Sequence, residues 1–159
     1  LAKSRGEDPF LILLDQIQDS QNLGAILRTA DCVGAHGVVI TKRRSVSLDA
    51  AAAKASAGAI EYVPCARVTN LNQAIDELKE KGVWIAGLSM EGQAMFEAQN
   101  LTGALALVVG NEGKGISPST VNHCDFLLSI PMRGKINSLN ASNAAAIAMY
   151  GVLRARLGN

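Results

Sequence analysis

The residues best suited to chemistry in this chain are glycines with small polar neighbours, gathered in three runs of its second half. Gly87-Leu88-Ser89-Met90-Glu91-Gly92, Gly110-Asn111-Glu112-Gly113-Lys114-Gly115 and Ile130-Pro131-Met132-Arg133-Gly134 each follow a short apolar run, and the last leads into Asn137-Ser138-Leu139-Asn140. Taken singly, each reads as a turn. Taken together after adjacent strands, they make a concave site of exposed main-chain groups with apolar walls. Two common nucleotide signatures are missing. Asp15-Gln16-Ile17-Gln18-Asp19, after the first apolar run, has no G-x-G-x-x-G turn, which argues against a nicotinamide dehydrogenase and against a methyltransferase of the common Rossmann type. Ile116 and Ser117 follow Gly115 where a phosphate-binding P-loop needs Lys-Ser or Lys-Thr, which argues against a nucleoside triphosphatase. Cys32, Cys65 and Cys124 are widely spaced, and His36 and His123 add no ligand pattern, so no metal is expected. The thiols read as reduced and mostly buried.

The elements that must position these loops alternate between apolar runs and helical patterns, the mark of an α/β domain with a mainly parallel sheet flanked by helices. Strands are expected at Phe10 to Leu14, Gly37 to Thr41, Val83 to Leu88, Leu105 to Val109 and Phe126 to Ile130, with a short one at Glu61 to Pro64. Leu23, Ile26, Leu27, Ala30 and Val33 have helical spacing, and an alanine-rich helix runs from Ser47 to near Gly58. The clearest helix covers Leu71 to Lys81, with Asn70 at the cap, Gln73 three residues on, and Gly82 as its stop. A last helix after Leu139 places Ile147, Tyr150, Leu153 and Leu157 on one face. In such a domain the ligand lies at the carboxyl ends of the strands, where the glycine runs fall.

The 159 residues suffice for one domain that buries roughly two-thirds of its unfolded surface. Aromatic residues are only 4%, which favours tight helix-on-sheet packing over a base-stacking sheet. No apolar run approaches the ~20 residues that span a bilayer, and the chain reads as cytoplasmic. A net charge of +1 is a weak footprint for a nucleic-acid partner. Local basic groups exist at Lys42-Arg43-Arg44, at Arg133 and Lys135, and at Arg154 and Arg156, and short runs like these are also found in ordinary solvated loops. Leu1 to Asp8 reads as the polar end of a linker, with the domain covering residues 9–159 and any further charge-bearing segment lying before it.

Three segments carry a family resemblance. Asn22, Gly24, Arg28 and Ala30 match N-x-G-x-x-x-R-x-A; Leu107, Val108, Gly110, Glu112 and Gly115 match L-V-x-G-x-E-x-x-G; and Ile130 to Asn140 match I-P-M-x-G-x-x-x-S-L-N. In this the chain strongly resembles the SpoU (TrmH-like) branch of the SPOUT methyltransferases from about Pro9 onwards, and it looks most like the enzymes that methylate a guanosine ribose in 23S ribosomal RNA. Ala141 and Asn143 depart from the family pattern, where valine and a small or apolar residue are commoner. The resemblance implies a C-terminal deep trefoil knot, a homodimer with the substrate site beside the subunit interface, and S-adenosyl-L-methionine held by Gly110, Ile130 and Leu139, with Leu88 and Met132 close by. Structured RNA is the implied partner. A tRNA-directed enzyme, or a catalytically silent RNA-binding or assembly module, would share the motifs.

The resemblance makes Arg28 the catalytic base or the key to it. A guanidinium stays protonated above pH ~12 and offers only donors, so stabilising a developing alkoxide or holding an RNA phosphate suits it better. If its segment is helical, Gly24 lies one turn before it and leaves room for the substrate, while a bland surface Arg28–Asp31 pair is the competing reading. Asn22 either orients the ribose or caps its helix. Glu112 holds Arg28 or a loop amide, and Ser138 and Asn140 are helix-start groups or substrate contacts.

Overall fold

A computed structural model describes residues 1–98 and 101–158. Six strands, β1 (Phe10–Asp15), β2 (Gly37–Thr41), β3 (Cys65–Val68), β4 (Trp84–Ala94), β5 (Leu105–Gly110) and β6 (Phe126–Ser129), form one sheet in the order β3-β2-β1-β5-β4-β6. Every pairing is parallel, with Ile12 opposite both Val38 and Leu107. Six helices accompany it: α1 (Ala2–Arg5), α2 (Ser20–Cys32), α3 (Ala50–Ala55), α4 (Leu71–Glu80), α5 (Pro118–His123) and α6 (Ala141–Arg156). Among the described residues no helix is long and apolar enough to cross a membrane.

Strand alternation divides the core between the two faces of the sheet. Ile12, Leu14, Leu107 and Val109 face α2, α3 and α6, where Leu23, Ile26, Leu27, Ala148 and Met149 close the larger core. Leu13, Ala106 and Val108 face the other way, onto Leu71 and Ile75 of α4. Each fully buried Leu or Ile here stabilises the fold by about 1.5–3 kcal/mol. At the amino edge of the sheet, Arg156 donates to the main-chain oxygens of Asp8, Pro9 and Gly103 and lies 5.2 Å over Phe10. The buried His36 accepts from Phe10 N through Nδ1 at 2.9 Å, so its Nε2–H faces Glu7. The ends of the domain are therefore fixed far from the glycine loops.

Several expectations are corrected. No strand forms at Glu61 to Pro64: residues Ala59–Glu61 make a 3-10 turn, and the strand begins only after Pro64, which has no N–H for a ladder. The alanine-rich helix is shorter than expected, because Asp49 caps it by accepting from Ala52 N at 2.8 Å. Strand β4 runs beyond Leu88: Leu88 and Gln93 both stand opposite Leu128, so the residues between them bulge out and the strand resumes. On α6 the packed side is Ala145, Ala148, Met149 and Val152, while Ile147, Tyr150 and Leu157 are 37%, 51% and 66% exposed. Small residues face inward because α6 must approach closely; a Cβ on Gly151 would stand 2.2 Å from Met95 Cε. Helices α1 and α5 were not foreseen, and residues 1–8 hold one helical turn that ends at Gly6 with φ +66°.

Candidate active site

The carboxyl ends of β4, β5 and β6 open onto a cleft of about 400 Å³. Its lining includes Leu88 from β4, Gly110 and Glu112 from the loop after β5, and Ile130, Met132, Ser138 and Leu139 from the segment between β6 and α6. All three glycine runs therefore meet in one place, and with them every residue expected to hold a cofactor.

The loop after β5 owes its shape to internal bonds. Asn111 exchanges two main-chain hydrogen bonds with Gly115, its Oδ1 accepts from Gly113 N and Lys114 N, and its Nδ2 donates to Gln16 O at 2.8 Å. The buried Asp15 accepts from Ser117 N at 2.8 Å. A Cβ on Gly110 would lie 2.1 Å from Gly115 C, so glycine is required there by the loop itself. Asn111 and Asp15 had no expected role; an Asn before Glu-Gly and an Asp ending a strand are the turn signals that could have marked them.

Asn22, Glu112 and Asn140 come together. Glu112 Oε1 accepts from Asp19 N at 3.1 Å, Gln18 N at 3.2 Å and Asn22 Nδ2 at 3.2 Å. Asn22 Oδ1 accepts from Asn140 Nδ2 at 3.1 Å, and Asn140 Oδ1 accepts from Ser142 N and Asn143 N as the N-cap of α6. Glu112 thus holds loop amides rather than Arg28. Asn22 is not the cap of α2, a task done by Asp19, which accepts from Asn22 N at 3.0 Å; it is a buried bridge between two loops and two helices.

Arg28 stands apart. It is exposed on α2, about 9 Å along the axis from Asn22, and has no ion pair or hydrogen bond among the described residues, the Arg28–Asp31 pair included. Nor does it line the cleft. Gly24 does not leave space for a substrate either: a Cβ there would meet Ala55 Cβ at 2.4 Å and Ala52 O at 2.5 Å, so this glycine lets α2 and α3 touch backbone to backbone.

Two features show what the cleft can hold. The main-chain groups of residues 131–139, an exposed segment beside the cleft, make no turn or loop hydrogen bond to another described residue. The charged side chains of the lining are Glu91, Glu112 and Lys114, a balance that disfavours polyphosphates and suits a cationic or neutral ligand against the apolar walls. Cys124, whose Sγ approaches Gly87, is pushed up to about 11 by burial, as is Cys65, so neither is a nucleophile at neutral pH. Cys32 is exposed, contrary to expectation.

The sequence pattern of the SpoU rRNA Methylase family matches residues 9–150. This chain belongs to that family. Among its SpoU relatives, YacO of Bacillus subtilis, named a TrmH family tRNA/rRNA methyltransferase, is 50% identical over 155 residues, which cover 98% of this chain and 62% of the relative. The SpoU methyltransferase AviRb of Streptomyces viridochromogenes, solved in complex with AdoMet, superposes with a TM-score of 0.89 at 30% identity, over 96% of this chain and 62% of that one. A structure described as an RNA 2′-O ribose methyltransferase gives a TM-score of 0.84 at 27% identity, over 95% of this chain and 58% of that one. The chain thus spans about three-fifths of the length of these relatives.

Proposed function

We propose that this chain transfers a methyl group from S-adenosyl-L-methionine to a ribose 2′-hydroxyl of structured RNA, with a guanosine of 23S ribosomal RNA as the target. The observation that carries the proposal is the bonded set Asn22–Glu112–Asn140 beside a cleft whose main-chain groups and carboxylates suit a cationic nucleoside. The AviRb complex and the relative described as a 2′-O ribose enzyme support the cofactor and the acceptor.

When bound, the cofactor supplies an electrophilic methyl group on a sulfonium. Leu88, Ile130, Met132 and Leu139 provide apolar contact for it, and main-chain groups around Gly110 and Ile130 provide the hydrogen bonds. Positioning of the acceptor oxygen is the protein's main contribution, and oriented groups can supply several of the ~7–11 kcal/mol available to proximity. In this reading Ser138, exposed at the cleft, orients the ribose, and Asn140, just outside the lining and held by Asn22 and Glu112, fixes the segment that carries Ser138. Arg28, whose guanidinium offers donors only, serves as a donor to a phosphate or a developing alkoxide.

The reading includes a homodimer and a threaded C-terminal segment. Ile147, Tyr150 and Leu157 offer an apolar face on α6 for a second copy. Helix α6 returns across β5 to α2 and to the Met95–Glu97 turn between β4 and β5, the path that a knot at this point would take. The test is calorimetric titration with S-adenosylmethionine, then methyl transfer to ribosomal RNA and tRNA from methylation-deficient cells with nucleoside mass analysis. A 2′-O-methylguanosine gained on 23S RNA alone supports the reading; a methylated tRNA moves the target; no cofactor binding overturns it.

A further inference from the structure

A second hollow, of about 280 Å³, lies at the carboxyl ends of β1, β2 and β3. Arg43 and Arg44 stand over it from the loop after β2, and neither guanidinium has a hydrogen bond or ion pair among the described residues. Its only other ionisable residue, Asp15, is buried and already accepts from Ser117 N. The floor is a fixed hydroxyl and amide network in which Asn72 Nδ2 donates to Ser119 Oγ at 3.1 Å and Thr120 Oγ1 donates to Asn72 Oδ1 at 2.8 Å. Arg44 (φ +56°) and Gln16 (φ +63°), two residues of the lining, hold left-handed backbone that disfavours side chains.

This hollow is the electrostatic opposite of the cofactor cleft, and the two share a wall. Asn111 lines the cleft and bonds Gln16 O, which belongs to the hollow; Ile116 lines the cleft and the next residue, Ser117, lines the hollow. Because β5 and β1 are neighbours, the strands that bound the cleft and the hollow at that wall are about one strand spacing, ~4.8 Å, apart. An RNA strand presenting one ribose to the cleft can carry a flanking phosphate across this crest to the hollow.

We propose that Arg43 and Arg44 bind a backbone phosphate of the substrate RNA, on a nucleotide flanking the methylated one. The proposal rests on the RNA-methylation reading, and supplies what the net charge of +1 leaves open, namely where a nearly neutral domain grips an anion. The shared chemistry is a phosphate oxyanion in a fork of guanidinium donors, and the two sources, polynucleotide and free phosphate, are separable.

The experiment compares the whole chain with Arg43→Ala/Arg44→Gly, where glycine suits the left-handed φ and leaves the fold undisturbed. Filter binding of 23S RNA at several salt concentrations is combined with methyl-transfer kinetics and a separate titration with inorganic phosphate. The expected result is a KM for RNA raised about tenfold or more, unchanged kcat and cofactor affinity, and a salt slope smaller by roughly one, as loss of one phosphate contact dictates. Inorganic phosphate should weaken RNA binding by the wild type and not by the variant. An RNA affinity and salt slope equal to wild type would overturn the proposal, even if inorganic phosphate binds. Failure of the wild type to methylate any RNA would be a failure of the methylation reading, and the binding measurements on the variant would still decide whether this hollow grips RNA.

Discussion

Asn140 Nδ2 donates to Asn22 Oδ1 at 3.1 Å, a bond between residues 118 positions apart. Chemistry leaves both side chains one orientation. Glu112 Oε1, which already accepts from the amides of Gln18 and Asp19, is an acceptor here, so the amino group of Asn22 faces it and the oxygen of Asn22 faces away. Asn140 must turn its own oxygen to the amides that open α6, which leaves its amino group for Asn22. The start of α6 is thereby set by a carboxylate in the loop after β5.

Asn140→Ser separates the cap from this tie. Both Asn140→Ser and Asn140→Ala leave the buried Asn22 oxygen unpaired at a cost of about 1–3 kcal/mol, but serine still caps α6 whereas alanine loses about 1 kcal/mol more for the cap. Serine cannot reach Asn22. Thermal melting should show the alanine variant clearly less stable than the serine variant, while single-turnover methyl transfer should fall about tenfold or more in both. Serine activity at the wild-type level would reduce Asn140 to a cap.

Gly24→Ala decides between a packing and a substrate role for that glycine. Alanine would favour the helix by about 1 kcal/mol, but its methyl would stand 2.4 Å from Ala55 Cβ and 2.5 Å from Ala52 O. Main chain cannot yield cheaply, so overpacking of about 1–3 kcal/mol wins and the melting temperature drops. Ala55→Gly in the same chain should recover only part of it, since Ala52 O remains. A variant as stable as wild type but weaker in RNA binding would return Gly24 to the substrate side.

How far such features were legible depends on whether the cause is local. Gly37–Thr41 was read residue for residue, because β2 is a buried apolar run between turn signals, and Asn70 with Gln73 announced α4 through a bond between near neighbours. The three glycine runs marked the cleft because each ends its own strand. What could not be read depends on distant partners. The inward face of α6 carries Ala145, Ala148, Met149 and Val152, and of the apolar residues spaced along the helix Leu153 packs on the core while Ile147, Tyr150 and Leu157 are exposed. Asn22 looked like a cap because nothing local announces Glu112 and Asn140, and the hollow under Arg43 needs loops after three strands and the first turn of α4 to exist at all.

Alkaline pH should act through the half-buried thiols. Burial raises Cys65 and Cys124 from 9.0 to about 11, so the folded state favours the protonated form. The stability this confers is fully present below pH 9 and is lost as pH rises through about 11. Melting temperatures should be level through pH 8 and fall beyond pH 9, and Cys65→Ser/Cys124→Ser should flatten that decline. In the native chain iodoacetamide at pH 8 should modify Cys32 alone, because only about a thousandth of each buried thiol is ionised there.

The position of Arg28 gives the homodimer a sharper test than its mass. Arg28 does not line the cleft of its own chain, so within one protomer it can only hold RNA outside the cleft, and an action on the ribose oxygen requires the cleft of a second copy. Tyr150→Glu puts a charge on the outward face of α6, where Tyr150 is already 51% exposed, so folding should survive while sedimentation shifts from dimer to monomer. Arg28→Ala and Asn140→Ser, each inactive alone, should then be coexpressed. If Arg28 acts across the interface, half of the dimers are mixed and each carries one intact site, so methyl transfer should return to about a quarter of wild type. If Arg28 acts within its own protomer, every site in the mixture lacks one of the two residues and activity stays at the level of the single variants.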